Sequence, residues 1–374
     1  MLRKSSSILI VDCNGIGDII INLSLYAAIR DLYPLATITL LGPPWAEALL
    51  RHTGLIDFYV SVKVPWGHGG VKYLSFSLVK AFFSAWKQRG RNQMGIELSG
   101  DCRNKFLLWL SRSSRRVGLS YANITAGPMS DIIPLRYLPG DRLLTTSISV
   151  HNNRTHILNQ RSLCIDYLGH KNNLSPPQIK VTQQELSKAH ISISHHHKTV
   201  LVHPGAGSPL RYWPAKNYLE LVKELRGRQY YPVLIAAPGE KKLIEDIVNL
   251  MSNSAIPILY PSLRDLLALI AVAKCIVCMD SAAAHIAGNI GTPAIVLYGC
   301  QSRAIWHPVG GPAALLRNDV CSKHPCKGQK CPHGLPAPCM SSITPAQVLN
   351  AFDYLMHENQ NESYGNFAIA NNGS

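Results

Sequence analysis

Acidic residues are scarce in this chain of 374 residues, with 22 Asp and Glu against 37 Lys and Arg and a formal net charge of +15. A field of that sign raises the local concentration of anionic ligands and surfaces. Phosphorylated substrates, anionic membrane and nucleic acid all suit it. No basic low-complexity arm is present. The bases cluster modestly at Arg112, Arg115 and Arg116 and are otherwise interspersed with ordinary folded sequence, which favours a phosphate-rich substrate or a membrane surface, with no nucleic acid expected. A membrane-spanning run is missing too. Asp12, Asn14 and Asp18 interrupt the most hydrophobic region, and a spanning helix needs roughly 20 uninterrupted apolar residues. The basic start Met1-Leu2-Arg3-Lys4 leads into a short strand-like run without a small-residue cleavage site, so a cytoplasmic protein without a signal peptide is expected. Of the ten cysteines, four gather as Cys321-x4-Cys326-x4-Cys331-x7-Cys339, a spacing without a C-x-x-C pair. In a reducing compartment that cluster reads as a structural metal site or as unligated packing thiols sooner than as disulfides.

What is present is alternation. Strand-like runs at Ile8–Val11, Thr37–Leu41, Phe58–Val60 and Gly95–Leu98 are separated by helical patterns at Ile19–Leu32, Trp45–His52, Val71–Lys87 and Asn104–Leu110. Beyond Thr199 the alternation restarts and runs through Val233–Ala236, Ile256–Leu259, Cys275–Met279 and Ala294–Tyr298, with helical patterns between them. Such patterning marks βαβ units and parallel sheets. The fold expected is α/β, two Rossmann-like doubly wound domains facing a cleft, over residues 1–176 and 177–357, with a disordered Asn- and Gly-rich tail at 358–374. Weak periodicity between Pro139 and Ser194, with one helical piece from His151 to Leu168, reads as the connection between lobes, and Pro176-Pro177 lies near the boundary. His195-His196-His197 reads as solvated linker rather than a metal site. Thr344-Pro345-Ala346-Gln347 supplies a capping box for a last helix.

Four strand-to-helix turns could carry chemistry. Asn14-Gly15-Ile16-Gly17-Asp18 is not a dinucleotide fingerprint, because Ile20 stands where the third glycine would fall. Asp18 at that helix start is either a helix cap or a general base held against a hydroxyl. In the second lobe, Gly205, Ala206, Gly207 and Ser208 leave backbone N–H groups accessible ahead of Arg211. This is phosphate chemistry without a Walker lysine, set against a plain glycine turn with a surface arginine. Glu240 could accept hydrogen bonds from ribose hydroxyls or simply begin a helix. Asp280-Ser281-Ala282 opens an Ala-rich helix whose N-terminus can seat an anion, with His285 one turn on as a ligand contact or a packed residue.

The order and spacing of these motifs, with Gly291-Thr292-Pro293 and the closing Cys339-Met340-x-x-Ile343-Thr344-Pro345, resemble glycosyltransferase family nine, the lipopolysaccharide heptosyltransferases. The resemblance spans nearly the whole chain to about residue 355. It implies the GT-B glycosyltransferase fold and an inverting reaction without a catalytic metal or other cofactor. It further implies an ADP-heptose donor on the C-terminal lobe and an anionic glycolipid acceptor on the N-terminal lobe. Asp18 matches the catalytic base. Gly205, Ala206, Gly207, Ser208, Arg211, Glu240, Asp280, Ser281, Ala282 and His285 fall to the donor, and Gly17, Arg103, Arg115 and Arg116 to the acceptor, with peripheral contact at the inner membrane. Two positions depart from the family pattern: Arg211 stands where lysine is common and Ala282 where glycine is usual. The alternatives are another nucleotide-sugar enzyme on this scaffold, a different-sugar transferase or an epimerase, and a metal-stabilised nucleic-acid-binding module.

Overall fold

The computed structural model describes residues 6–64, 76–121, 140–151, 155–194, 197–251, 256–322, 326 and 331–358. The chain divides into two compact units, Met1–Ile179 and Lys180–Ser374. His195, His196, residues 65–75 with the start of the helical pattern Val71–Lys87, and the tail beyond Glu358 lie outside the described residues.

In the N-terminal unit, strands β1 (Ser7–Val11), β2 (Thr37–Gly42), β3 (Phe58–Ser61), β4 (Met94–Glu97), β5 (Arg115–Ser120) and β6 (Thr146–Ser149) form one sheet in the order β3-β2-β1-β4-β5-β6. Every pairing is parallel. Ile8, Leu9, Ile10 and Val11 are all fully buried, as a central parallel strand covered on both faces requires. Helices α1 (Ile16–Ile21), α2 (Leu23–Leu32), α3 (Pro44–Leu50) and α6 (Ile157–Leu168) pack together, as do α4 (Phe76–Lys87) and α5 (Cys102–Leu110). Ala81 and Ala85 of α4 and Leu107 and Leu108 of α5 close over Leu9 and Val11. The pattern Ile19–Leu32, expected as one helix, is broken at Asn22, which ends α1 and starts α2. Its side chain is drawn off to other partners described below.

The C-terminal unit repeats the plan. Its strands β7 (Thr199–His203), β8 (Tyr231–Ile235), β9 (Ile258–Leu259), β10 (Cys275–Met279), β11 (Ala294–Leu297) and β12 (Ala313–Leu316) run in the order β12-β11-β10-β7-β8-β9, all parallel. Helices α7 (Gln183–Ser192), α8 (Ala215–Gly227), α9 (Lys241–Leu250), α10 (Leu263–Val272), α11 (Ala282–Ile290), α12 (Arg303–Trp306), α13 (Pro338–Ser341) and α14 (Pro345–Glu358) complete it. Trp213, Tyr218 and Phe352 are buried in its core, and the Trp213 indole N–H donates to the Ile343 carbonyl at 2.8 Å. The capping box of α14 forms: Thr344 N–H donates to Gln347 Oε1 at 2.9 Å and Gln347 N–H to Thr344 Oγ1 at 3.2 Å.

The stretch from Pro139 to Ser194 is corrected. It is not mainly connection, because it supplies β6 and α6 to the first unit and α7 to the second. Strand β6 reads Thr-Ser-Ile-Ser, an edge strand with none of the apolar alternation that reveals a buried one. β12 also adds an edge strand that the alternation did not reveal.

In each sheet the strand order reverses beside the first strand, between β1 and β4 and between β7 and β10. Ligands of open α/β sheets bind outside the carboxyl ends of the strands at such points.

Candidate active site

At the reversal point of the N-terminal unit, Asp12 follows β1 and is 1% exposed. Asn22 Nδ2 and Tyr26 Oη donate to its Oδ2, each at 2.6 Å, and Asn14 Nδ2 to its Oδ1 at 2.7 Å. Burial pushes the Asp12 carboxyl up, against the hydrogen bonds from Tyr26 and Asn22 and the charge of Arg161. Asn22 also accepts from Arg161 Nη1 at 2.8 Å, and Arg161 Nη2 donates to Asp18 Oδ1 at 2.5 Å. Asp18 Oδ2 takes the Gly15 N–H at 3.2 Å. Asp18 is therefore both a helix-start acceptor and one half of an ion pair, and its side chain stays 20% exposed while that of Arg161 is 1% exposed. Although burial alone would pull Arg161 down, the carboxylates of Asp18 and Asp12 hold its guanidinium above the ordinary value. The pair fixes one oxygen of Asp18, and Gly17 lies beside it on the same first turn.

At the end of β4, Glu97 is fully buried and accepts from the N–H groups of Ser99 and Gly100 at 2.9 and 2.7 Å. Burial raises its carboxyl, with Lys105 opposing. Asp101 caps α5 and grips Arg103, whose Nε and Nη2 donate to the two carboxylate oxygens at 2.9 and 2.5 Å. Arg103 thus sits at the reversal-point edge, with part of its charge already answered.

Arg115 and Arg116 were grouped with this acceptor site, and the fold separates them from it. They begin β5, paired with Met94 and Gly95 at the start of β4, at the opposite edge of the sheet. Arg116 donates through Nε to Leu143 O and through Nη1 to Ser113 O, both at 2.8 Å. Arg115 lies over the Tyr167 ring, 5.4 Å from its centroid. Parallel register explains the separation: in β5 the basic pair comes first and the C-terminal end comes four residues later, roughly 13 Å away at 3.3 Å per residue.

In the C-terminal unit the turns after β7, β8 and β10 converge. Arg211 Nη1 donates to the Asp280 carbonyl at 2.7 Å and lies 3.4 Å from Asp280 Oδ2. This puts the guanidinium at the start of α11, while Arg211 Nε makes no hydrogen bond among the described residues. Burial pushes the Asp280 carboxyl up, opposed by Arg211. Ser281 is the N-cap of α11 but its side chain makes no capping hydrogen bond. The first N–H groups of that helix, from Ala282 onward, therefore point out of the strand end with the helix dipole behind them. Ser281 Oγ instead lies 3.5 Å from His203 Nδ1, and His203 Nε2 lies 3.5 Å from Glu240 Oε2. Glu240 also accepts the Ala237 N–H at 2.8 Å. Burial would raise Glu240, but His203 and that N–H outweigh it and hold the carboxyl below its usual range. The bare Cα of Gly205 leaves room for the Glu240 carboxylate, which a Cβ there, 2.0 Å from Oε1, would push aside. A Cβ on Gly207 would come 3.2 Å from Arg211 Nη2. Ser208 accepts from Leu210 N–H at 3.3 Å and shapes the turn that carries Arg211, and Ala206 packs partly against the core. His285 is buried, 5% exposed, within α11.

Motif reading missed Arg161 and His203 as site residues. His203 could have been found as the polar end of an apolar strand. Arg161 left no local signal, because its partner lies 143 positions earlier.

Cys321, Cys326, Cys331 and Cys339 do come together, and with Cys300 they line one small cavity of the C-terminal unit. The thiols are free, and among the described residues no group of three or more His, Cys, Asp or Glu side chains is arranged to hold a metal ion. Burial raises the Cys300 thiol to about 11, and it raises Cys326 and Cys339 above their ordinary value.

A family model described as glycosyltransferase family 9 (heptosyltransferase) matches residues 142–335. Lipopolysaccharide heptosyltransferase 2 of Salmonella typhimurium is 23% identical over 365 residues, covering 94% of this chain and 99% of the relative. The protein of the same name from Escherichia coli K12 is 22% identical, over 93% and 98%. Among solved structures, E. coli ADP-heptose lps heptosyltransferase II superposes with a TM-score of 0.72 at 19% identity, over 95% of this chain and 99% of that one. A family 9 glycosyl transferase from Veillonella parvula gives 0.76 at 16% identity, over 96% and 99%. At such identities the structural likeness speaks for the fold.

Proposed function

Since the chain belongs to glycosyltransferase family 9, the heptosyltransferases, we propose that it transfers a heptose from ADP-heptose, with inversion, to an anionic glycolipid acceptor of the lipopolysaccharide core type. The observation that carries this reading is the state of Asp18: one oxygen is held by the buried Arg161, and the side chain keeps one-fifth of its surface open on the first turn of α1. The carboxylate takes the proton of the acceptor hydroxyl as that oxygen forms its bond to the anomeric carbon. The bond from that carbon to the ADP oxygen breaks on the opposite face, and the electron pair leaves with the diphosphate. Charge growing on the diphosphate is met by Arg211 and by the N–H groups at the start of α11. Glu240, held ionised, accepts hydrogen bonds from ribose hydroxyls, and the absent side chain at Gly205 leaves room beside it. Nothing in this scheme asks for a metal. The protein works at the cytoplasmic side in peripheral contact with the inner membrane, a reading supported by the net charge of +15 and by the related heptosyltransferases acting on lipopolysaccharide. No described helix is long and apolar enough to cross a membrane.

The test incubates the purified protein with ADP-heptose and a heptose-deficient core lipid and reads the anomeric configuration of the product by NMR. An inverted anomer with release of ADP is expected. Alteration of the nucleotide-sugar with no acceptor present points to an epimerase and sinks the transfer reading. In a thermal-shift panel ADP species are expected to stabilise most, by about 2.7 kcal/mol at 100 times the dissociation constant. A larger shift with UDP or GDP species sinks the donor assignment alone.

A further inference from the structure

We propose that the outward face of α4, with the end of α5, is a docking surface for a bilayer carrying anionic headgroups. Helix α4 buries Ala81 and Ala85. A helix turns about 100° per residue, so the opposite stripe holds Phe76, Val79, Phe83 and Trp86, which are 74%, 62%, 51% and 50% exposed. Among the described residues these apolar side chains are left uncovered. Among the described residues Phe83 and Trp86 stack on each other, with centroids 5.8 Å apart and planes at 17°. The aromatic surface continues through Phe82 and Phe106, at 5.2 Å, to Trp109, at 5.7 Å from Phe106 and 42% exposed.

Charge separates a lipid occupant from a protein one. Lys80 and Lys87 flank the apolar stripe, with ammonium groups 4.7 Å above the Phe76 ring and 4.6 Å above the Phe83 ring. Gly90 N–H donates to Ser111 O at 3.0 Å, which joins the ends of α4 and α5 and gathers exposed Arg89, Arg91 and Arg112 there. No Asp or Glu occurs from 76 to 96 or from 102 to 118. A second copy docking through the same face would set lysine against lysine with no acid between them. Aromatic rings beside lysines are the pattern that seats a helix in the headgroup layer of an anionic membrane. The inference rests on the proposed lipid acceptor only for the reason a bilayer is needed, since vesicle binding requires no turnover.

The full-length protein is co-sedimented with vesicles of phosphatidylglycerol and phosphatidylethanolamine, and with phosphatidylcholine alone. Binding to the anionic vesicles is expected, with at least a tenfold weaker response on phosphatidylcholine and a tenfold fall in high salt. The double variants Phe83→Ser with Trp86→Ser, and Lys80→Glu with Lys87→Glu, should each lose at least tenfold. Both should keep the circular dichroism of the parent and full turnover on a delipidated, water-soluble acceptor. The lysine pair is wholly on the surface and guards against a folding defect in the aromatic pair. Unchanged vesicle binding in both variants overturns the proposal. So does a dimer in sedimentation velocity that the variants disperse, which gives the face to a second copy. Vesicle binding that follows the pattern in a protein without transferase activity leaves the surface standing and removes only the reaction.

Discussion

At the strand-order reversal of the N-terminal unit the chain presents carboxylates, Asp12, Asp18, Glu97 and Asp101, whereas the matching point of the C-terminal unit presents small residues, helix N–H groups and Arg211. The two sheets share one strand order, so the frame does not decide the chemistry. What decides it is the handful of residues just past β1 and β4 in one unit, and past β7, β8 and β10 in the other. In the proposed reaction one collection takes up a proton and the other receives negative charge.

The comparison can be broken at its strongest point first. Asp18→Asn keeps the shape of the side chain and removes the base, and should lower kcat about 1,000-fold, within the range for a general base, while ADP affinity measured by calorimetry stays as in the parent. An equal loss of ADP binding would mean that the two reversal points do not divide the work. Arg211→Ala should do the reverse. A charge-assisted hydrogen bond is worth roughly 1.5–3 kcal/mol, so ADP should bind about 10 to 100 times more weakly, and unchanged affinity would remove the anion seat from the C-terminal unit. Gly205→Ala tests how tightly that unit is built, because the new methyl meets Glu240. Pushing the carboxylate off the Ala237 N–H and away from His203 costs about 1 kcal/mol, visible as a slightly lower Tm and weaker ADP binding with the pH dependence of kcat unaltered. The smallest effect is a control away from both points. Hydrogen bonds from Arg264 hold the Glu185 carboxyl down to about 2, below its value in the unfolded chain. The stabilisation from this pair is therefore complete above the ordinary carboxylate range and is lost as pH falls toward 2. Glu185→Gln should lower stability by roughly 0.5–1 kcal/mol at neutral pH, with the gap to the parent closing in acid and activity unmoved. A gap that persists in acid would assign the loss to packing.

The sequence made the central strands legible because they are short, apolar and bounded by glycine and polar turns, and the turns at Asp18, Arg211 and Asp280 were found for the same reason. Edge strands β6 and β12 were not. The first is polar and the second is four residues of Ala and Leu with no helix pattern after it. The break at Asn22 was invisible in a run that otherwise reads as continuous helix, since its cause is side-chain bonding to Asp12 and Arg161. Arg115 and Arg116 were misplaced by a rule that counts charge and ignores direction. In a parallel sheet the first and last residues of a strand serve opposite edges, and only the register decides which edge a basic pair reaches. The thiol cluster was seen as spacing, but the fifth member, Cys300, came from a distant loop.

The ion pair of Asp18 with Arg161 ties the first helix of the chain to the last helix of its unit. During synthesis the acid emerges from the ribosome long before its guanidinium partner does. If Asp18 is the base we propose, the nascent N-terminal unit lacks an aligned proton acceptor until α6 has left the exit tunnel and docked, and readiness for chemistry arrives together with completion of that unit.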